Sequence, residues 1–236
     1  MAARLLELFE AAFRGRPYLH RNSSIGDGVA AGLFEDLYTL KDRCARFRKE
    51  VDSGRAALNR QNRRVGARAR RGDGTFGETV PGEELLRVDG SPIPRAPIAS
   101  IQIGCEAKIL AKAMIKQIDR VCGDLRNQVE QFRSSGDNPV TVAIVGVNHA
   151  EHYVSFEGER TFPTDGRRYK HPFQEADEAT RRVRDHAGPV YDELLILPFR
   201  ATNADPFPFE WVDAAATRRE YSAALARICR RYAERA

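Results

Sequence analysis

Residues 98–109 read IASIQIGCEAKI, and the chain that follows them, Leu110 to Phe132, changes its period. In the first segment Ile101, Ile103, Cys105 and Ala107 fall on one side of an extended chain, and Gln102, Gly104, Glu106 and Lys108 on the other. In the second, Leu110, Met114, Ile118, Val121, Leu125, Val129 and Phe132 recur three and four residues apart. That is the apolar stripe of an amphipathic helix, expected to end near Gly136. A strand that runs straight into a long helix sets the class as α/β.

The same reading extends outward in both directions. Val140–Val147 (VTVAIVGV) is an apolar run fit for a strand buried on both faces, and Leu194–Phe199 is a second one. Pro172–His186 is expected to be a helix, Thr217–Tyr232 a closing helix, and residues 149–171 irregular. Toward the N-terminus, Leu5–Phe13 reads as a helix broken by Gly15, Arg16 and Pro17. A second helix, capped by Ser23 or Ser24, carries Ile25, Val29, Leu33, Leu37 and Leu40 on one face. Residues 43–71 are polar and arginine-rich, with helix expected to about Val65. GDGTFG at 72–77 reads as a turn followed by extended chain. Leu85, Leu86 and Val88 suggest a short strand before an Asp89-Gly90 turn. The order predicts a central mixed β-sheet flanked by α-helices in one domain over 1–236, with a core of about 25–200 and a helical closure over 201–236.

Lysine and arginine total 38 against 33 acids, a net +5 that alone decides little. Its distribution matters more: Arg60, Arg63, Arg64, Arg68, Arg70 and Arg71 crowd one stretch. Clustering of this kind suits a polyanionic partner, although a solvated helix face would look the same. Cys44, Cys105, Cys122 and Cys229 form no CxxC pair and have no zinc spacing with histidine, so reduced thiols in a cytoplasmic protein are expected. No run approaches the roughly 20 apolar residues of a membrane span. Met1–Phe13, with Glu7 and Glu10, lacks the pattern of a signal peptide.

Glu106 and Lys108 carry the chemistry. Two apart on a strand, they emerge side by side where the strand gives way to the helix, the end at which open α/β sheets place ligands. Phosphodiester hydrolysis needs carboxylate oxygens for a hard divalent cation, and a cationic group to orient water or offset developing charge. Glu106 and Lys108 supply one of each, and a second carboxylate should lie upstream. Asp73, in the glycine-flanked turn RRGDGTFGE beside the arginine cluster, is preferred; Asp89 competes as an ordinary turn aspartate, and Glu78 is a further candidate.

A helix, strands carrying an Asp, an E-x-K tripeptide, then helix, strand and helix resembles the PD-(D/E)XK nuclease superfamily, which has the restriction-endonuclease-like fold. The likeness spans roughly residues 25–200 and rests on pattern order and a short motif. It implies that Asp73 and Glu106 hold Mg2+ (or Mn2+) and that Lys108 assists the attacking water. It also implies that Gln117, Lys112 and Lys116, in the first turns of the following helix, lie near the metal-bound water or the phosphate. Glu35, on the second helix, resembles an acid that some members add. Gly72 stands where the family has Pro, and the long interval from Asp73 to Glu106 calls for an extra hairpin.

The function implied is a metal-dependent hydrolase of the restriction or antiviral-defence kind, an endonuclease cutting double-stranded DNA. The alternative is a non-catalytic nucleic-acid-binding module of the same fold. Arg63, Arg64, Arg70 and Arg71 are expected to contact DNA phosphates together with Lys112 and Lys116. The loop from Arg160 to His171, with Tyr169, could touch DNA as well. His149 and His152 lack a third ligand for zinc. Cutting both strands favours a homodimer, with Phe207–Trp211 as core or interface.

Overall fold

The computed structural model describes residues 3–19, 24–64, 72–134 and 138–235, with backbone alone at 24 and 61–64. Seven strands form one mixed sheet. They are β1 (Ala56–Arg64), β2 (Gly74–Glu78), β3 (Arg95–Ile98), β4 (Ile103–Leu110), β5 (Val140–Asn148), β8 (Glu193–Ala201) and β9 (Phe209–Trp211), in spatial order β3-β1-β2-β4-β5-β8-β9. The centre, β4-β5-β8, is parallel, whereas β2 meets both β1 and β4 antiparallel. A separate antiparallel hairpin, β6 (Val154–Glu157) with β7 (Arg160–Pro163), stands outside this sheet.

Helices cover both faces. Alternation along β4 sends Ile103 and Cys105 into one core, shared with α1 (Arg4–Ala11), α2 (Ser24–Thr39), α3 (Ala45–Asp52) and α6 (Ala214–Glu234). The opposite core joins Ala143, Val145 and Val147 of β5 to α4 (Met114–Arg133) and α5 (Phe173–His186). The parallel strands are apolar on both faces because both faces are covered.

Carboxylates fasten the helix ends, one buried and one exposed. Asp36 of α2 accepts the N–H groups of Arg4 (2.8 Å) and Leu5 (2.9 Å) at the start of α1, and the Tyr221 hydroxyl of α6. It thus satisfies donors that a helix N-terminus leaves unpaired. Asp213 caps α6 by accepting from Ala216 N at 2.8 Å. A disulfide joins Cys44, in a 3-10 turn before α3, to Cys229 of α6, with Cα atoms 5.1 Å apart. The expectation of four thiols therefore fails for this pair. The two cysteines are 185 residues apart in sequence, and only the packing of α6 on the 3-10 turn brings them together. Cys105 and Cys122 are free and buried.

Other expectations also change. The helix placed up to Val65 gives way to β1 from Ala56 onward. Residues 98–109 form two strands, not one, because the chain crosses from the sheet edge at β3 to its interior at β4. Leu85–Val88 makes only a single bridge, Leu86 to Arg95, and residues 149–171 contain the β6–β7 hairpin. Phe209 is buried against Phe199 and Phe13, and Trp211 packs on Phe9, so these two rings serve the core, while Pro208 and Glu210 are exposed. No helix among the described residues is long and apolar enough to cross a membrane.

Candidate active site

The site forms where the sheet opens. β2 pairs with β4 from Gly74 opposite Cys105 to Phe76 opposite Ile103, so Asp73 stands one residue beyond the last rung, at the Glu106 end of it. Among the described residues no strand continues β2 along β4 past that point. The Ala107 N–H, which a longer β2 would have bonded, donates instead to Asp73 Oδ2 at 2.7 Å. In return Asp73 N donates to Glu106 Oε2 at 3.3 Å, and Lys108 Nζ donates to Glu106 Oε1 at 2.5 Å. Three of the residues expected from sequence, Asp73, Glu106 and Lys108, thus converge through reciprocal hydrogen bonds.

Burial and a neighbouring carboxylate both act against the ionised form of Glu106. Glu106 is 6% exposed. Its burial, and then the negative charge of Asp73, push its carboxyl from an ordinary 4.5 up to about 7, with Lys108 pulling the other way. A buried carboxyl such as Glu106, with a second carboxylate beside it, favours uptake of a proton or of a metal ion. Among the described residues no group of three or more His, Cys, Asp or Glu side chains gathers as a metal cage. A two-carboxylate donor set suits Mg2+, which keeps several waters and takes the rest of its shell from substrate phosphate; it does not suit zinc.

Asp73 and Lys108 face a cleft of about 820 Å³. One wall is the first turns of α2, where Gly26 abuts Asp73: a Cβ on Gly26 would lie 2.6 Å from the aspartate Cγ. The other wall is α4, with Lys116, Gln117 and Arg120; Phe162 and Tyr169, from β7 and the loop after it, also line the cleft. The turn into α4 is held from below by buried Glu175 of α5, whose Oε2 accepts the Met114 N–H at 2.9 Å. Gln117 donates to the Lys112 carbonyl at 2.9 Å. Lys112 reaches across to the Phe162 carbonyl at 3.1 Å, so its ammonium is committed to the hairpin.

The remaining candidates do not join the site. Asp89 is an exposed turn residue, and exposed Glu78 accepts from Ser100 Oγ at 3.2 Å. Glu35 lies 3.6 Å from Arg4 in an ion pair away from the cleft, because its side of α2 faces α1. Arg70 and Arg71 lie outside the described residues, as do the side chains of Arg63 and Arg64 on β1. Gly26 and Glu175 were missed from sequence. A glycine inside a helix costs about 1 kcal/mol relative to alanine, and that cost was the available sign of a close approach. Comparison of the chain with protein-family models, curated proteins and solved structures finds no match.

Proposed function

We propose that the chain is a metal-dependent nuclease of the PD-(D/E)XK type that hydrolyses phosphodiester bonds in DNA. The observation that carries this reading is the set of hydrogen bonds that joins Asp73 to Glu106 and Ala107, with Lys108 bonded to Glu106. The order α2, β1, β2, β4, α4, β5 also agrees with a restriction-endonuclease-like core. The extra chain between β2 and β4 goes to the edge strand β3.

Asp73 and Glu106 would hold Mg2+ or Mn2+, which when bound polarises a phosphate and acidifies a water. Lys108 offsets charge that develops on the phosphate and orients the attacking water. Lys116 and Arg120 present cations along α4 to the flanking phosphates. The Ala107 N–H and Gly26 keep the Asp73 carboxylate in place.

The test is DNA cleavage in Mg2+, Mn2+, Ca2+ and EDTA by wild type and by Glu106→Gln, Lys108→Ala and Asp73→Asn, with Asp89→Asn as control. The three site variants are expected to lose cleavage by about 100-fold or more, while Asp89→Asn cuts normally. Calcium should support binding with little cutting. Robust cutting in excess EDTA, or wild-type rates for both Glu106→Gln and Lys108→Ala, would remove the proposal.

A further inference from the structure

The loop from Thr164 to His171 is ordered by its own hydrogen bonds. Asp165 Oδ1 accepts the N–H groups of Arg167, Arg168 and Tyr169 at 2.9, 2.8 and 3.1 Å. Gly166 N donates to the Tyr169 carbonyl at 3.0 Å, and Thr164 Oγ1 accepts from Tyr153 N at 2.9 Å. The result holds the Tyr169 ring in the wall of the cleft that contains Asp73 and Lys108. Lys112 ties this wall to the root of α4: its ammonium binds the Phe162 carbonyl and lies 4.7 Å from the centre of the Tyr169 ring. An ordered aromatic ring, with the Arg168 guanidinium also 5.3 Å from its centre, therefore lines the same cleft as Asp73, Lys108 and Lys116, and a ligand does not have to pay to order it.

We infer that Tyr169 receives an unpaired nucleobase, so that the strand reaching Glu106 and Lys108 is single-stranded DNA and not an intact duplex. The location rests on the nuclease reading; the test does not. Within a duplex both faces of every base are covered by stacked neighbours, and only edges are reached through the grooves. A tyrosine ring inside a cleft meets a base face only when the base has left its stack. The cleft, about 820 Å³, is of the size that encloses a small ligand, about 300–1,000 Å³. A short stretch of one strand fits such a space, with bases against Tyr169 and phosphates toward Lys116, which makes no ion pair among the described residues.

Fluorescence anisotropy of the full chain in Ca2+ tests this with a short labelled DNA strand of mixed sequence, the same strand annealed to its complement, and the matching RNA strand. At one fixed ionic strength the DNA strand is expected to bind at least about tenfold more tightly than the duplex. Tyr169→Ala should weaken the single strand by about 5- to 100-fold and leave the duplex unchanged, while Tyr169→Phe, which keeps the ring, should match wild type. Equal or tighter duplex binding by wild type overturns the inference without recourse to any variant. So does an unchanged single-strand affinity in Tyr169→Ala, or tighter binding of RNA. Parallel cleavage in Mg2+ separates the two readings. Tyr169-dependent strand binding with no cutting removes the nuclease and leaves the inference standing. Glu106-dependent cutting with no effect of Tyr169→Ala on binding does the reverse.

Discussion

Replacing Glu106 with glutamine should make the metal-free protein more stable at pH 8 while abolishing its proposed activity. The carboxyl is displaced from 4.5 to about 7 by burial and by Asp73. Between these values the unfolded chain has released the proton and the folded chain has kept it, so stability falls as pH rises through the window. Above about pH 7 the full penalty applies; below 4.5 it vanishes. At about 1.4 kcal/mol per pH unit the penalty reaches about 3 kcal/mol. That displacement already includes the opposing pull of Lys108, whose side chain is 28% exposed and regains water when the carboxylate is removed. The net gain expected for Glu106→Gln at pH 8 is about 1–3 kcal/mol, or a Tm higher by about 3–10 °C for a chain of this size. Thermal unfolding of both proteins in EDTA, from pH 4.5 to 8.5, reads the difference directly. The gap should open across the window and then level off. A gap that stays flat from pH 5 to pH 8 would refute the argument that Glu106 is held ionised against its surroundings.

Magnesium should raise the Tm of wild type at pH 8 and leave Glu106→Gln unmoved, as thermal unfolding with and without EDTA would report. Gly26→Ala should leave the unfolding free energy within about 1 kcal/mol of wild type, since better helix propensity opposes the clash with Asp73. It should nevertheless lower cleavage by about tenfold or more, because a displacement of about 1 Å at a catalytic carboxylate is costly; full activity in a cleavage assay would show that Asp73 tolerates being moved. Asp36→Ala leaves two α1 N–H groups and the Tyr221 hydroxyl without their acceptor. Urea unfolding should register a loss of about 2–4 kcal/mol.

The parts of the fold that were legible are those in which one segment carries its own pattern. VTVAIVGV at β5 and the stripe from Met114 to Phe132 on α4 needed no partner to be read. β1 was misread because Arg60, Gln61, Arg63 and Arg64 suit a helix. They are extended because β1 is flanked by β3 and β2, a fact of tertiary pairing. The alternation through residues 98–109 hid a break, since a chain can keep its period while moving from the sheet edge to its interior. Within the site, Glu106 and Lys108 were legible from a strand end, and Asp73 from a turn flanked by glycines. The commitment of Lys112 to Phe162 was not, because its partner lies 50 residues away on a hairpin with no sequence signature.

The Cys44–Cys229 bond has a consequence for how the chain would come apart. It closes a covalent ring that holds all nine strands and α3 through α5 between its two ends. A protease that nicks the backbone anywhere inside that ring opens it without releasing a fragment. The pieces travel together on a non-reducing gel and separate only after thiol is added. A cut before Cys44, by contrast, frees α1 and α2 from any covalent hold. Those helices then stay only through packing, and α2 carries Gly26, which abuts Asp73. The wall of the cleft nearest Asp73 is thus a part of the molecule that the disulfide does not secure.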